Sequence, residues 1–158
     1  MIENLTPNPE DIYDLTKLEA EQRFQQASEV GLNTIIFRMS RCFPEPDHLQ
    51  IFYRLYRGVG DQDTAAAHWL AVSSTKSGTV IINISVDPPF ERSETRALLT
   101  EPWEVIERIY PGTSKQFDQL KWKRMPSIDR IFVFDKAKWV LNYQPRDNFW
   151  RQMQSKKR

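Results

Sequence analysis

Two periods of hydrophobic spacing run through this chain. In residues 9–30 the apolar positions recur at helical intervals. Ile12, Leu15 and Leu18 form one stripe, which Phe24 and Ala27 continue. Asn8 suits an N-cap and Pro9 the first helical position. Glu10 and Asp11 suit the positive end of the helix dipole, and Gly31 suits the stop. The spacing predicts a helix over 9–30.

The period then changes to two. In 34–43, Ile35, Phe37, Met39 and Phe43 share one face, and Ile36, Arg38, Ser40 and Cys42 the other. Pro44-Glu45-Pro46-Asp47 reads as a turn. In 48–57, Leu49, Ile51, Tyr53 and Leu55 alternate again, so 34–57 is predicted as a hairpin. A second hairpin is expected from 67–73 and 79–86. Asp63-Thr64-Ala65-Ala66-Ala67 could instead cap and start a helix over the first of these. Helices are expected at 93–99, 102–109 and 114–124, with Pro102 in a first turn and Pro111-Gly112 as a break. A strand is expected at 128–134. Asp135 then opens either a turn into a strand at 139–143 or a helix, and a short helix follows Pro145.

Strands joined by short turns imply sequential antiparallel pairing. The expected fold class is α+β. It comprises an antiparallel sheet of four to six strands, an N-terminal helix, a central helical segment and a short C-terminal helix. Residues 1–158 are expected to form a single globular domain with a short basic C-terminal tail, Ser155-Lys156-Lys157-Arg158.

Hydrophobic residues make up 40% and charged residues 27% of the chain, which argues against disorder. Cys42 is the only cysteine, so no disulfide can form within the chain, and this favours a reducing, cytoplasmic setting. Met1-Ile2-Glu3-Asn4 has no basic or apolar leader character, and no apolar run approaches a membrane span.

Charge changes the picture more than composition does. Residues 1–114 carry 10 Lys/Arg against 17 Asp/Glu, whereas residues 115–158 carry 12 against 4. The net charge of +1 hides this division. The basic third is threaded with aromatics, and such asymmetry points to an acidic or polyanionic partner. Lys121, Trp122, Lys123, Arg124 and Trp150 are the candidate contacts there, through charge and through stacking or burial. The first hairpin offers a second candidate surface. Matching its core faces pairs Phe37 with Leu55 and sets Arg38 opposite Arg54, with Phe52 and Tyr56 on the same face and Trp69 beside them. Arginines among large aromatics are the residue types that dominate binding hot spots.

Catalytic signatures are absent. The sequence has no Walker loop, dinucleotide glycine motif, HExxH, CxxC, Gly-x-Ser-x-Gly elbow or EF-hand loop. His48 and His68 lack metal-ligand spacing, and Asp61-Gln62-Asp63 suits a loop or helix cap better than a cation site. No cofactor or metal is therefore expected, and no catalytic residue. These features predict a non-enzymatic cytosolic protein-interaction domain, of adaptor, assembly-factor or chaperone-like type. Its partner would be another protein, possibly acidic. The alternative is a nucleic-acid-binding protein using residues 115–158.

Overall fold

The structure is a computed structural model and describes residues 2–156. Lys157 and Arg158 of the expected basic tail lie outside the described residues. Helix α1 (Ile12–Glu29) leads into strand β1 (Thr34–Met39). Two helices, α2 (Asp47–Tyr53) and α3 (Asp61–Val72), precede strand β2 (Thr79–Ile84). A 3₁₀ turn (Arg92–Glu94) then leads into α4 (Thr95–Thr100), α5 (Pro102–Ile109), α6 (Thr113–Gln119), α7 (Asp135–Leu141) and α8 (Phe149–Ser155).

The sheet overturns the expected fold class. Among the described residues it has two strands, and they pair in parallel from Thr34 opposite Thr79 to Met39 opposite Ile84. No antiparallel hairpin forms among the described residues. The segment 48–57 is helical as far as Tyr53 and then turns, where alternation predicted a strand. Every residue from Leu49 to Tyr56 is apolar or aromatic except Gln50 and Arg54, so the pattern satisfies both periods. Pro46 decides for helix by fixing the entry, and its carbonyl accepts from the amides of Leu49 and Gln50. Ile51, Phe52 and Tyr53 of the helix and Leu55 and Tyr56 of the turn after it are all buried. In 67–73 the alternative holds, because the alanines of Asp63–Ala67 continue a helix.

The segment 128–134 is extended but joins no ladder. The Ile128 amide donates to the Leu98 carbonyl and the Phe132 amide to Tyr56, while Val133 accepts from the Asn83 side chain. Asp135 opens the helix of its two alternatives. Helix α1 starts at an Asp11 cap rather than at Asn8, and Gly31 ends it with φ +95°. The helix over 102–109 forms as predicted, and the one expected at 114–124 ends at Gln119.

Two apolar clusters hold these elements. One joins α2, α4, α5, α6 and α8 around Phe52, Leu55, Ile106, Phe117 and Phe149. The other joins β2, α3 and α7 around Ile82, Ile84, Ala67, Ala137 and Tyr143. The buried phenol of Tyr56 is pushed up to about 12, chiefly by loss of water, so it stays neutral in the core.

A polar clasp joins the clusters. Asp63, at the start of α3, is buried, and its carboxylate accepts from the backbone amides of Arg146 and Asp147 at 2.9–3.1 Å. Arg54 is also buried, and its Nε donates to Asp147 Oδ2 at 2.8 Å. Gly58 passes beneath this pair. A Cβ there would stand 2.8 Å from Arg54 Nη1 and 2.9 Å from the Tyr53 carbonyl, which leaves room only for glycine.

Replacing Arg54 with Met should leave Asp147 Oδ2 without its ionic partner, while Oδ1 keeps its bond from Gln152, and cost about 3 kcal/mol. Urea unfolding measures this as a lower midpoint at unchanged slope. A loss below about 1 kcal/mol would mean that water, rather than Arg54, satisfies Asp147.

Acid stability offers a second check. Glu107 accepts from the amides of Gly112 and Ser114, and these bonds, led by Ser114, hold its carboxyl below the ordinary value of 4.5. A lowered folded value stabilises the fold above the unfolded value, and that contribution disappears as the pH falls through the folded one. The melting-temperature gap between the native chain and Glu107→Gln should therefore be widest near neutrality and close as the pH falls below 4.5. A gap independent of pH would reject this linkage.

Candidate functional site

Beyond the carboxyl end of β2 the chain turns through Asp87-Pro88-Pro89-Phe90 and forms one wall of a cleft of about 820 Å³. Ligand crevices in α/β sheets lie outside the carboxyl ends of the strands. Leu98, Ile128 and Phe134 form an apolar floor, and Ile2 and Leu5 close a side. The charged groups are Arg92 and Arg130, with Asp87, Asp129 and Asp135. Arg130 Nη2 lies 2.6 Å from Asp129 Oδ2. That bond holds the Asp129 carboxyl below its usual range. A cleft of this composition can seat a flat apolar group on its floor and an anion at the two guanidiniums.

Arg38 fixes the Ile2–Leu5 wall. Its Nε and Nη2 donate to the Glu21 carboxylate on α1 at 2.9 and 2.6 Å, and its Nη1 donates to the Glu3 carbonyl at 2.9 Å. The Glu3 carboxylate in turn accepts from the Asn83 amide of β2 at 2.8 Å. The N-terminal segment is thus tied to α1 and to both strands. The Ile2–Leu5 segment that lines the cleft runs on into α1.

One turn into α1 stands a pair that the sequence reading passed over. Tyr13 is 61% exposed, and Lys17 Nζ lies 5.1 Å from its ring centre. The spacing of four puts phenol and ammonium on one helix face. The signal was present, because no other tyrosine in the chain has a lysine four residues away. It was hidden because 9–30 was read only for its apolar stripe, and that stripe is largely exposed: Ile12 is 75% and Leu15 51% accessible.

The structure disperses the predicted contact residues. Arg38 and Arg54 do not face each other across a ladder; one anchors α1 and the other pairs with Asp147. Phe52 and Tyr56 are buried in the core. Trp69 is 73% exposed on α3. Lys121 and Lys123 are exposed beyond α6, whereas Trp122 packs on Phe117 and near His48. Arg124 binds Asp118 and lies over Trp103. Trp150 stacks on Tyr110 at 5.3 Å. Of the aromatics expected to bind there, Trp122 is thus taken up by internal packing, and Trp150 stacks on Tyr110. Cys42 is half-buried and accepts from Thr64 Oγ1 at 3.7 Å.

No family model and no curated protein matches this chain. Solved structures do. MoeE5, in complex with UDP-glucuronic acid and NAD, matches 98% of this chain at 16% identity and a TM-score of 0.62. RMD from Pseudomonas aeruginosa, complexed with NADPH, matches 97% at 14% identity and a TM-score of 0.59. The chain spans 56% of the length of each. At these identities the likeness is one of fold. It overturns the expected non-enzymatic adaptor, assembly factor or chaperone with a protein or nucleic-acid partner, because the shared fold belongs to proteins solved with nicotinamide dinucleotides and, in one case, a nucleotide sugar.

The dinucleotide itself does not fit the residues present. Its pyrophosphate calls for a glycine cradle between a strand and a helix. Here β1 leads to α2 through Ser40-Arg41-Cys42-Phe43-Pro44, and β2 leaves through Asp87-Pro88-Pro89, with no glycine in either turn. No step through such a cofactor is derived. Among the described residues no helix is long and apolar enough to cross a membrane.

Proposed function

We propose that this chain is the nucleotide-sugar-handling part of a sugar-modifying enzyme, with the cleft between Ile2 and Arg130 as its substrate site. The observation that carries this reading is a cleft that combines an apolar floor with two guanidiniums, walled on one side by the Ile2–Leu5 segment that leads into the helix bearing Tyr13 and Lys17. The floor of Leu98, Ile128 and Phe134 suits a nucleobase. Arg92 and Arg130 suit the diphosphate, whose oxygens accept bidentate charge-assisted hydrogen bonds.

Tyr13 then has a chemical role. A phenol can give or take a proton at a sugar hydroxyl or carbonyl. Lys17, one turn along the helix, holds its ammonium over the Tyr13 ring. Arg38 is a positioning residue, since it holds α1 and the Glu3 segment against the strands. The nucleotide-sugar complex of a protein with the same fold supports the choice of ligand class. A cytosolic setting is in keeping with the lone Cys42 thiol.

Calorimetry with UDP-glucuronic acid tests the site. Arg130→Ala should weaken binding about tenfold, the equivalent of 1.4 kcal/mol. Tyr13→Phe should leave the affinity within about twofold, since it removes only the hydroxyl that acts on the sugar. In an NMR titration the Tyr13 ring signals should move together with those of Phe90. Absence of binding by the native chain, or shifts at Phe90 with none at Tyr13, would reject the assignment.

A further inference from the structure

A second cleft, of about 1000 Å³, lies between α3 and the chain running from Asn142 into α8. It shares no residue with the first. Its α3 wall presents Trp69, an indole 73% exposed where a soluble surface ordinarily hides one. The opposite wall is fastened at each end of its turn. The Asp63 carboxylate holds the amides of Arg146 and Asp147, and the buried Tyr143 donates its hydroxyl to the Ser85 carbonyl at 3.3 Å. Asn142 takes the left-handed conformation at φ 55°, which turns the chain from α7 into this wall.

Carboxamides line this cleft together with the charged groups Asp61, Asp63, Arg146, Asp147 and Arg151, of which Asp63 and Asp147 are engaged in the clasp. Gln62, Asn142 and Gln144 all line the cleft, are exposed and make no side-chain hydrogen bond to other described residues. Each carboxamide offers two donors and one acceptor oxygen. Vicinal hydroxyls both donate and accept, so carboxamides complement them without a net charge. An exposed indole supplies the flat apolar face against which the C–H side of a pyranose ring packs. Arg146 stands at the same cleft with no side-chain ion pair among the described residues, and its fork matches a carboxylate.

We propose that this cleft is a second carbohydrate site, which takes a pyranose bearing a carboxylate. Trp69 is its platform, Gln62, Asn142 and Gln144 hold its hydroxyls, and Arg146 holds its acid group. The site stands apart from the Tyr13 cleft and does not depend on that reading.

Free glucuronic acid is the probe, followed by NMR at the Trp69 indole N–H and the Gln and Asn side-chain amides. Saturable shifts are expected with a Kd on the order of 1 mM, as befits an open site. Trp69→Ala should raise Kd about tenfold or more, and Trp69→Tyr should keep it within about threefold. Because Trp69 is exposed, melting temperature and circular dichroism should be unchanged in both. Arg146→Gln should weaken glucuronic acid about tenfold and leave glucose unaffected. Arg130→Ala should not alter the response at Trp69, which separates this site from the first cleft. No saturable shift at Trp69 up to about 50 mM would overturn the proposal. So would shifts confined to Phe90 and its neighbours, or a Trp69→Ala variant that binds as well as the native chain.

Discussion

Parallel pairing of β1 with β2 is the constraint from which the rest of this structure follows. Parallel neighbours cannot be joined by a tight turn, so the chain must leave one strand and travel back before entering the next. Residues 40–78 make that return and carry α2 and α3. Helix α1 contacts both strands on its side, and α7 contacts β2 and α3. Parallel strands need such cover because both faces are buried in use. The burial of β2 deepens along its length, and its last three residues are fully enclosed, as a strand between helical layers requires.

The crossover must then be fixed to the remainder of the chain, and charge does this as much as apolar packing. Asp63 lies in the crossover and Arg146 and Asp147 in the approach to α8, and two backbone amides on one carboxylate align the segments. Arg54, also in the crossover, closes the loop on Asp147. A buried guanidinium is costly to dehydrate and is held only where its partner is fixed. The same clasp rigidifies the wall opposite Trp69. A stability device of the core and the frame of a surface cleft are thus one set of bonds.

How much of this was legible in the sequence depends on which signal each segment carried. The helix over 102–109 was readable because Pro102 marks its start and Val105, Ile106 and Ile109 form one face. The strand at 79–84 was readable because Val80-Ile81-Ile82 is short, β-branched and bounded by Gly78. The segment 48–57 was not, since nearly uniform apolarity fits either period and only packing around Phe52 and Leu55 selects the helix. Direction of pairing was also hidden. It is a property of what lies between strands, so mistaking α2 for a strand turned a parallel crossover into a hairpin. The Arg38–Arg54 pairing fell with that error. The Tyr13–Lys17 pair lay in plain view, but in a segment whose dominant signal was an apolar helical stripe.

Ion pairs within the fold answer the division of charge along the chain only in part. Lys156 reaches back to Asp47 at 2.6 Å, and Asp147 answers Arg54, so two ion pairs tie the basic third to the acidic part. Others close within a few residues, as in Arg124 with Asp118 and Arg130 with Asp129. The exposed pairs contribute little to stability, since water screens them. Pairs such as Arg124–Asp118 and Arg130–Asp129 join charges that both lie within residues 115–158, so they leave the net charge of that segment unchanged. Arg92 and Arg146 carry no salt bridge among the described residues, and each lies at a cleft rather than on an open face. In a nearly neutral molecule, a guanidinium that the fold leaves without an internal carboxylate is a better guide to where an anion binds than the sum of charges over a third of the chain.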